Sequence, residues 1–176
     1  MKRAAFLWIL VLCMIFTAGS SFAVGYLAPP EQWDETVDLV VVGAGFAGLA
    51  AAYTGVTNGA STILVEKMPF VGGNSVINGG VYASYASQRD YLYDQLGLTP
   101  DTFSKHFEDT VAGGDNFPVP SLVEQFVAGS PYFLNLMLDN GLKVRDTISR
   151  PGGHYGFRTY TTINQSGSDI VLVQYN

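Results

Sequence analysis

The stretch that decides the fold is Asp38-Leu39-Val40-Val41-Val42-Gly43-Ala44-Gly45-Phe46-Ala47-Gly48. An apolar run enters G-x-G-x-x-G directly, and an Ala-rich segment, Leu49 to Ala52, comes after it. A second apolar run, Ile63-Leu64-Val65, ends on Glu66, 18 residues beyond Gly48. Strand, turn, helix, strand and acid in this order form the pattern of a dinucleotide site. Each glycine has its own reason. Gly43 turns the chain sharply out of the strand. Gly45, without a Cβ, lets a pyrophosphate approach the backbone, and Gly48 lets the helix pack close to the strand. The helix start offers unpaired N–H groups and a partial positive charge to phosphates. Glu66 stands where a ribose hydroxyl needs an acceptor.

Outward from this motif, the spacing predicts strands at 37–42 and 61–66, the first buried on both faces, with a helix from Phe46 to Asn58 between them. Asn58-Gly59 reads as its C-terminal stop. Residues 67–80 form a long loop with two Gly pairs. Gly72-Gly73-Asn74-Ser75 can close backbone N–H groups on a phosphate, and Asn78-Gly79-Gly80 offers flat, side-chain-poor backbone to one face of a planar ring. The rest reads as helical. Residues 88–96 are followed by a helix capped at Thr99 with Pro100 at its first position. That helix carries Phe103, Phe107 and Val111 on one face and stops at Gly113-Gly114. A further helix over 121–140 is expected to break or bend at Ser130-Pro131. Residues 142–145 suit a short strand, 149–168 a loop, and 169–175 a helix or strand. There is no internal repeat.

The 176 residues suffice for one domain, and 48% hydrophobic residues give it a core. A net charge of −6 without a basic stripe argues against nucleic acid as a partner. The N-terminus reads as an export signal. Lys2 and Arg3 precede an apolar run, Ala4 to Phe16, and Ser21-Phe22-Ala23 suits a signal peptidase. Cleavage after Ala23 is expected, which leaves 24–36 as a linker and contact with the membrane only during export. Cys13 would leave with the signal, so the mature chain would have no disulfide, thiolate metal site or attached c-type haem. His106 and His154 show no metal-ligand spacing.

The runs DLVVVGAGFAGLAAAY (38–53) and GASTILVEKMPFVGGNSVINGG (59–80) resemble the FAD-binding start of the fumarate reductase/succinate dehydrogenase flavoprotein family. The resemblance is strongest to its soluble exported branch, the flavocytochrome c fumarate reductases. It spans about residues 36–172 and includes the helices near 103–114 and 122–141 and the segment Ser149 to His154. It implies an α/β fold: a Rossmann-like FAD-binding domain, here incomplete over 37–176, with the start of a helical substrate or cap region. It also implies that Gly43, Gly45, Ala47 and Gly48 line the pyrophosphate. Glu66 would hold the adenosine ribose with Lys67 flanking it, and Asn74 and Ser75 would bind the cofactor's centre. Gly79 and Gly80 would lie at the flavin, Gly79 beside the substrate.

In that family a reduced flavin passes hydride to an activated C=C bond and an arginine delivers the proton. The implied substrate is a small unsaturated carboxylate such as fumarate. The implied electron donor is a separate cytochrome or flavoprotein, and the location is the periplasm or another exported compartment. The family's substrate domain and proton-donating arginine find no counterpart within 176 residues, which suggests a truncated gene product. No catalytic residue is assigned: Arg145, Arg150, Arg158 and His154 read as polar residues of helix ends or loops, facing water. Alternative readings are a non-catalytic remnant, or another FAD enzyme of the same fold, of the ketosteroid dehydrogenase or amino-acid oxidase type.

Overall fold

The computed structural model describes residues 28–176. The expected signal segment, with Cys13 and the predicted cleavage point, lies outside the described residues. The chain divides into two units, 1–36 and 37–176, and every described strand and helix belongs to the second.

Strand β1 (Leu39–Val42) and strand β2 (Thr62–Val65) pair in parallel, Leu39 opposite Thr62 through Val42 opposite Val65. Helix α1 (Phe46–Thr57) makes the crossover, ends on Asn58, and releases the chain through Gly59 at φ +82°. Two glycines seven residues apart seat α1 on the sheet. A Cβ on Gly48 would lie 1.8 Å from the Gly43 carbonyl oxygen, and one on Gly55 would lie 2.6 Å from Leu39 Cδ2. Seven residues are two helical turns, so both positions face the strands. Ala44, Leu49 and Val171 are buried at this junction, flanked by Phe46, Leu64, Val71 and Val76. The expectation that β1 is buried on both faces is corrected here. Val41 is buried, but Val40 and Val42 are 58% and 84% exposed, because α1 covers one face and no described element covers the other.

The remainder is built around a second sheet that the sequence pattern did not reveal. Strand β3 (Val81–Ala83) pairs antiparallel with β4 (Thr159–Thr161), inside the stretch read as loop. Both are three residues long, too short for alternation to stand out. The strand expected at 142–145 is reduced to a single bridge between Val144 and Thr162. Three helices lie between these two strands in the chain: α2 (Tyr91–Leu96), α3 (Phe103–Gly113) and α4 (Pro120–Asp139). A last helix, α5 (Gly167–Tyr175), packs on α1. Leu92, Tyr93, Leu134, Met137, Tyr160 and Ile170 form the main core.

Helix α4 runs through Pro131 as one element. Proline removes the N–H that would bond the carbonyl four residues back, that of Val127. The Ser130 hydroxyl donates to that carbonyl instead, at 2.8 Å, so the predicted break is replaced by a local substitution of donors. The start of α3 also moves from its expected place. Thr102, not Thr99, is the N-cap, and its hydroxyl accepts from the Lys105 N–H at 3.3 Å.

The cause is Asp101, which turns inward to Arg158. Arg158 is fully buried, which overturns its reading as a water-facing loop residue. Its Nε and Nη2 donate to Asp101, and Nη2 also donates to Asp109 Oδ2 at 2.6 Å. Arg145 and Arg150 are exposed, as read, and His154 is half-buried. A guanidinium out of reach of water is costly without such partners, and stranding the two carboxylates is costly in turn. Arg158→Met should therefore lower unfolding free energy by about 3–5 kcal/mol, read as a fall in the urea midpoint. Ser130→Ala, which strands one buried carbonyl, should cost about 1 kcal/mol in the same measurement.

Candidate dinucleotide site

β1 delivers the chain to Gly43, whose φ of +95° lies in the left-handed region that favours glycine. Its N–H donates to the Val65 carbonyl at 2.7 Å, so the ladder ends inside the motif. Gly45 is the N-cap of α1. Around it, three backbone donors are accounted for. The Ala44 N–H donates to Glu66 Oε2 at 2.8 Å, the Phe46 N–H to Ser75 Oγ at 3.1 Å, and the Leu49 N–H to the Gly45 carbonyl at 2.9 Å. The N–H groups of Gly45, Ala47 and Gly48 have no partner among the described residues. The first turn of α1 carries no acidic side chain to compete for them. Free amides at a helix start, beside a position without a Cβ, are what a pyrophosphate requires.

Glu66 is pinned at the end of β2. Its second oxygen accepts from the Met68 N–H at 2.9 Å. The Ala44 N–H first, then that of Met68, hold its carboxyl below the usual carboxylate range. Each oxygen keeps a further lone pair, so the carboxylate can still accept ribose hydroxyls.

The second loop folds back onto the same helix end. Gly72, at φ +103°, donates its N–H to the Ala44 carbonyl at 2.7 Å and precedes a 3₁₀ turn over Gly73–Ile77. That turn lifts Ser75 to α1. Asn78 then ties the loop to itself: its Nδ2 donates to the Ser75 carbonyl and its Oδ1 accepts from the Gly80 N–H at 2.7 Å. Gly79 is exposed with open space around it. Gly80 is buried at φ +62°, and a Cβ there would meet Thr162 Oγ1 at 2.3 Å.

The structure therefore brings together Gly43, Gly45, Ala47, Gly48, Glu66 and Ser75, and sets Gly79 and Gly80 on a supported loop. Lys67 and Asn74 are exposed and make no side-chain hydrogen bond among the described residues. Sequence reasoning missed the supports. The Gly167 N–H donates to the Asn78 carbonyl at 3.0 Å, and the Ser166 hydroxyl donates to the Val76 carbonyl at 3.3 Å. The available signal was Ser166 followed by Asp169 before an apolar run, an N-terminal helix signature.

Residues 38–168 match the model of the FAD binding domain family. The chain belongs to that family. It is 32% identical over 154 residues to the acrylate reductase flavoprotein subunit of Shewanella woodyi, covering 87% of this chain and 30% of that protein. It is 34% identical over 146 residues to urocanate reductase of Eggerthella lenta, covering 81% and 23% respectively. A solved flavocytochrome c3 fumarate reductase in its open conformation superposes with a TM-score of 0.73 at 30% identity, over 81% of this chain and 25% of that one. The chain thus spans less than a third of the length of these relatives.

The α/β fold is that of an FAD-binding domain, and FAD is the dinucleotide. The donors at the α1 start and the Glu66 acceptor fit its pyrophosphate and ribose. Gly48→Val should abolish flavin retention, because its Cβ would drive the Gly43 carbonyl out of the turn. The purified variant should be colourless, and a tryptophan or flavin fluorescence titration should show at least about a hundredfold weaker binding, roughly two powers of ten in Kd.

Proposed function

We propose that this chain is the FAD-binding portion of an exported oxidoreductase that reduces the C=C bond of a small, fumarate-like unsaturated carboxylate. The observation that carries the reading is the set of amides at Gly45, Ala47 and Gly48 without a partner among the described residues, next to the Ala44 amide that pins Glu66, in a chain whose relatives are named for acrylate and urocanate reduction. When bound, FAD supplies hydride transfer. The chain's own residues position it. Gly43, Gly45, Ala47 and Gly48 present backbone to the pyrophosphate, Glu66 accepts from the ribose, and Lys67 lies beside it. Ser75 holds the loop to the helix start, with Asn74 next to it on the loop. Gly79 leaves open space for the ring, on the substrate side, and Gly80 follows it at the flavin, packed against Thr162 and Ser166. Electrons come from a separate cytochrome or flavoprotein.

Export rests on the segment of residues 1–23, with the protein working in the periplasm or an equivalent compartment. The mature N-terminus is then Val24, which intact-mass measurement of the secreted protein checks. An unprocessed Met1 species as the sole product would overturn cleavage after Ala23 and leave the segment as an uncleaved membrane anchor. For the cofactor, the purified full chain should carry flavin absorbance, and Glu66→Ala should weaken FAD binding by about tenfold, the effect of one charge-assisted bond. A colourless full chain that takes up no added FAD would favour the reading as a non-catalytic remnant.

A further inference from the structure

Away from the dinucleotide site, the segment 151–157 closes over the buried Arg158 cluster. Arg158 Nη1 lies 3.3 Å from His154 Nδ1. A guanidinium has no lone pair and keeps its protons at any working pH, so Nδ1 is the acceptor and the imidazole is neutral. The same segment is pinned a second time. Asp109 Oδ2, already bonded to Arg158, accepts the Tyr155 N–H at 2.9 Å and the Gly156 N–H at 3.4 Å. Before these anchors stand Pro151-Gly152-Gly153, with Gly153 at φ +86° and exposed, a natural hinge. Tyr155 and Gly156, with Phe157 after them, also form one wall of a cavity of about 470 Å³. The opposite wall comes from Gly97 to Asp101 and from Lys105, Glu108 and Asp109 on α3.

We propose that residues 151–157 form an acid-released flap over this cavity, with His154 as its latch. Protonating Nδ1 removes the acceptor that Arg158 uses and sets an imidazolium against a guanidinium that cannot yield its own charge. The groups facing His154 are Arg158 beside β4, Asp101 from the α2–α3 connection, and Asp109 and His106 from α3. Burial first and Arg158 second hold His154 below its ordinary value, while Asp109 and Asp101 oppose them without prevailing.

The direction of the pH effect is set by that sign. The folded state favours the neutral ring, so closure is complete above the ordinary histidine value of about 6.5 and is lost as pH falls below it. His106 does not share this window, because burial and Arg158 push it down to about 4. The flap is independent of the reading of the chain as a reductase.

Hydrogen exchange on the purified full chain tests the proposal. Protection factors of the Tyr155 and Gly156 amides, corrected for intrinsic rates, should fall about tenfold between about pH 7.5 and about pH 5.5. His154→Gln keeps a carbonyl acceptor for Arg158 but does not titrate, and should hold both amides protected throughout. Unchanged protection in the wild type, or an equal fall in His154→Gln, overturns the proposal. In the wild type alone, the fall must begin near the ordinary histidine value of about 6.5 and level off where the His154 ring, followed by NMR, titrates. A fall that levels off away from the His154 titration overturns the proposal without recourse to any variant.

Discussion

One buried cation organises the half of the molecule that the glycine motif does not reach. Arg158 has no contact with water, so two carboxylates must come to it from elsewhere in the chain. Asp101 arrives from the turn before α3 and Asp109 from α3 itself. Three features result from that demand. Helix α3 begins at Phe103, because the residue that could have opened it sooner is committed inward. The loop before β4 is tied to α3 through the Tyr155 and Gly156 amides. Strand β4, which starts one residue after Arg158, is placed to pair with β3. An arginine paired in this way adds little net stability over a well-packed apolar residue, but it fixes which segments must meet.

The dinucleotide half rests on shorter-range geometry. Gly48 and Gly55 bring α1 close enough to the strands for the Gly43 turn to lie against the helix start. The loop after β2 then closes the arrangement through Ser75 and Gly72. The two halves are joined by the Asn78, Thr162 and Ser166–Gly167 contacts, so the loop expected at the flavin is braced by residues almost 90 positions further along the chain.

How much of this was legible depended on whether the cause was local. The turn, α1, β2 and the place of Glu66 at the end of β2 were readable because each is set by neighbours within about one βαβ unit. Glycine stops at Asn58-Gly59 and Gly97 were readable for the same reason. The C-terminal segment could be read as apolar but not assigned, because a stretch as short as 169–175 satisfies both helix and strand patterns. What failed involved partners distant in sequence. Arg158 looked like a loop residue because nothing near it is acidic; Asp101 and Asp109 are about 50 residues away. Thr99-Pro100 had the better local cap chemistry and lost to an ion pair. Pro131 is the local exception: the hydroxyl that replaces its missing N–H is on the neighbouring Ser130, and a sequence does not say which acceptor a serine hydroxyl takes.

The uncovered side of β1 bears on how this chain behaves in solution. A parallel pair of strands with a helix on one face leaves Val40 and Val42 as an apolar ledge beside strand edges that pair with no other described strand. Such a ledge is a template for strands of other molecules, so self-association competes with the isolated fold and grows with concentration. The net charge of −6 opposes it by mutual repulsion. That repulsion is screened by salt while the apolar attraction is not, which makes ionic strength the lever that tips the chain from dispersed to clustered.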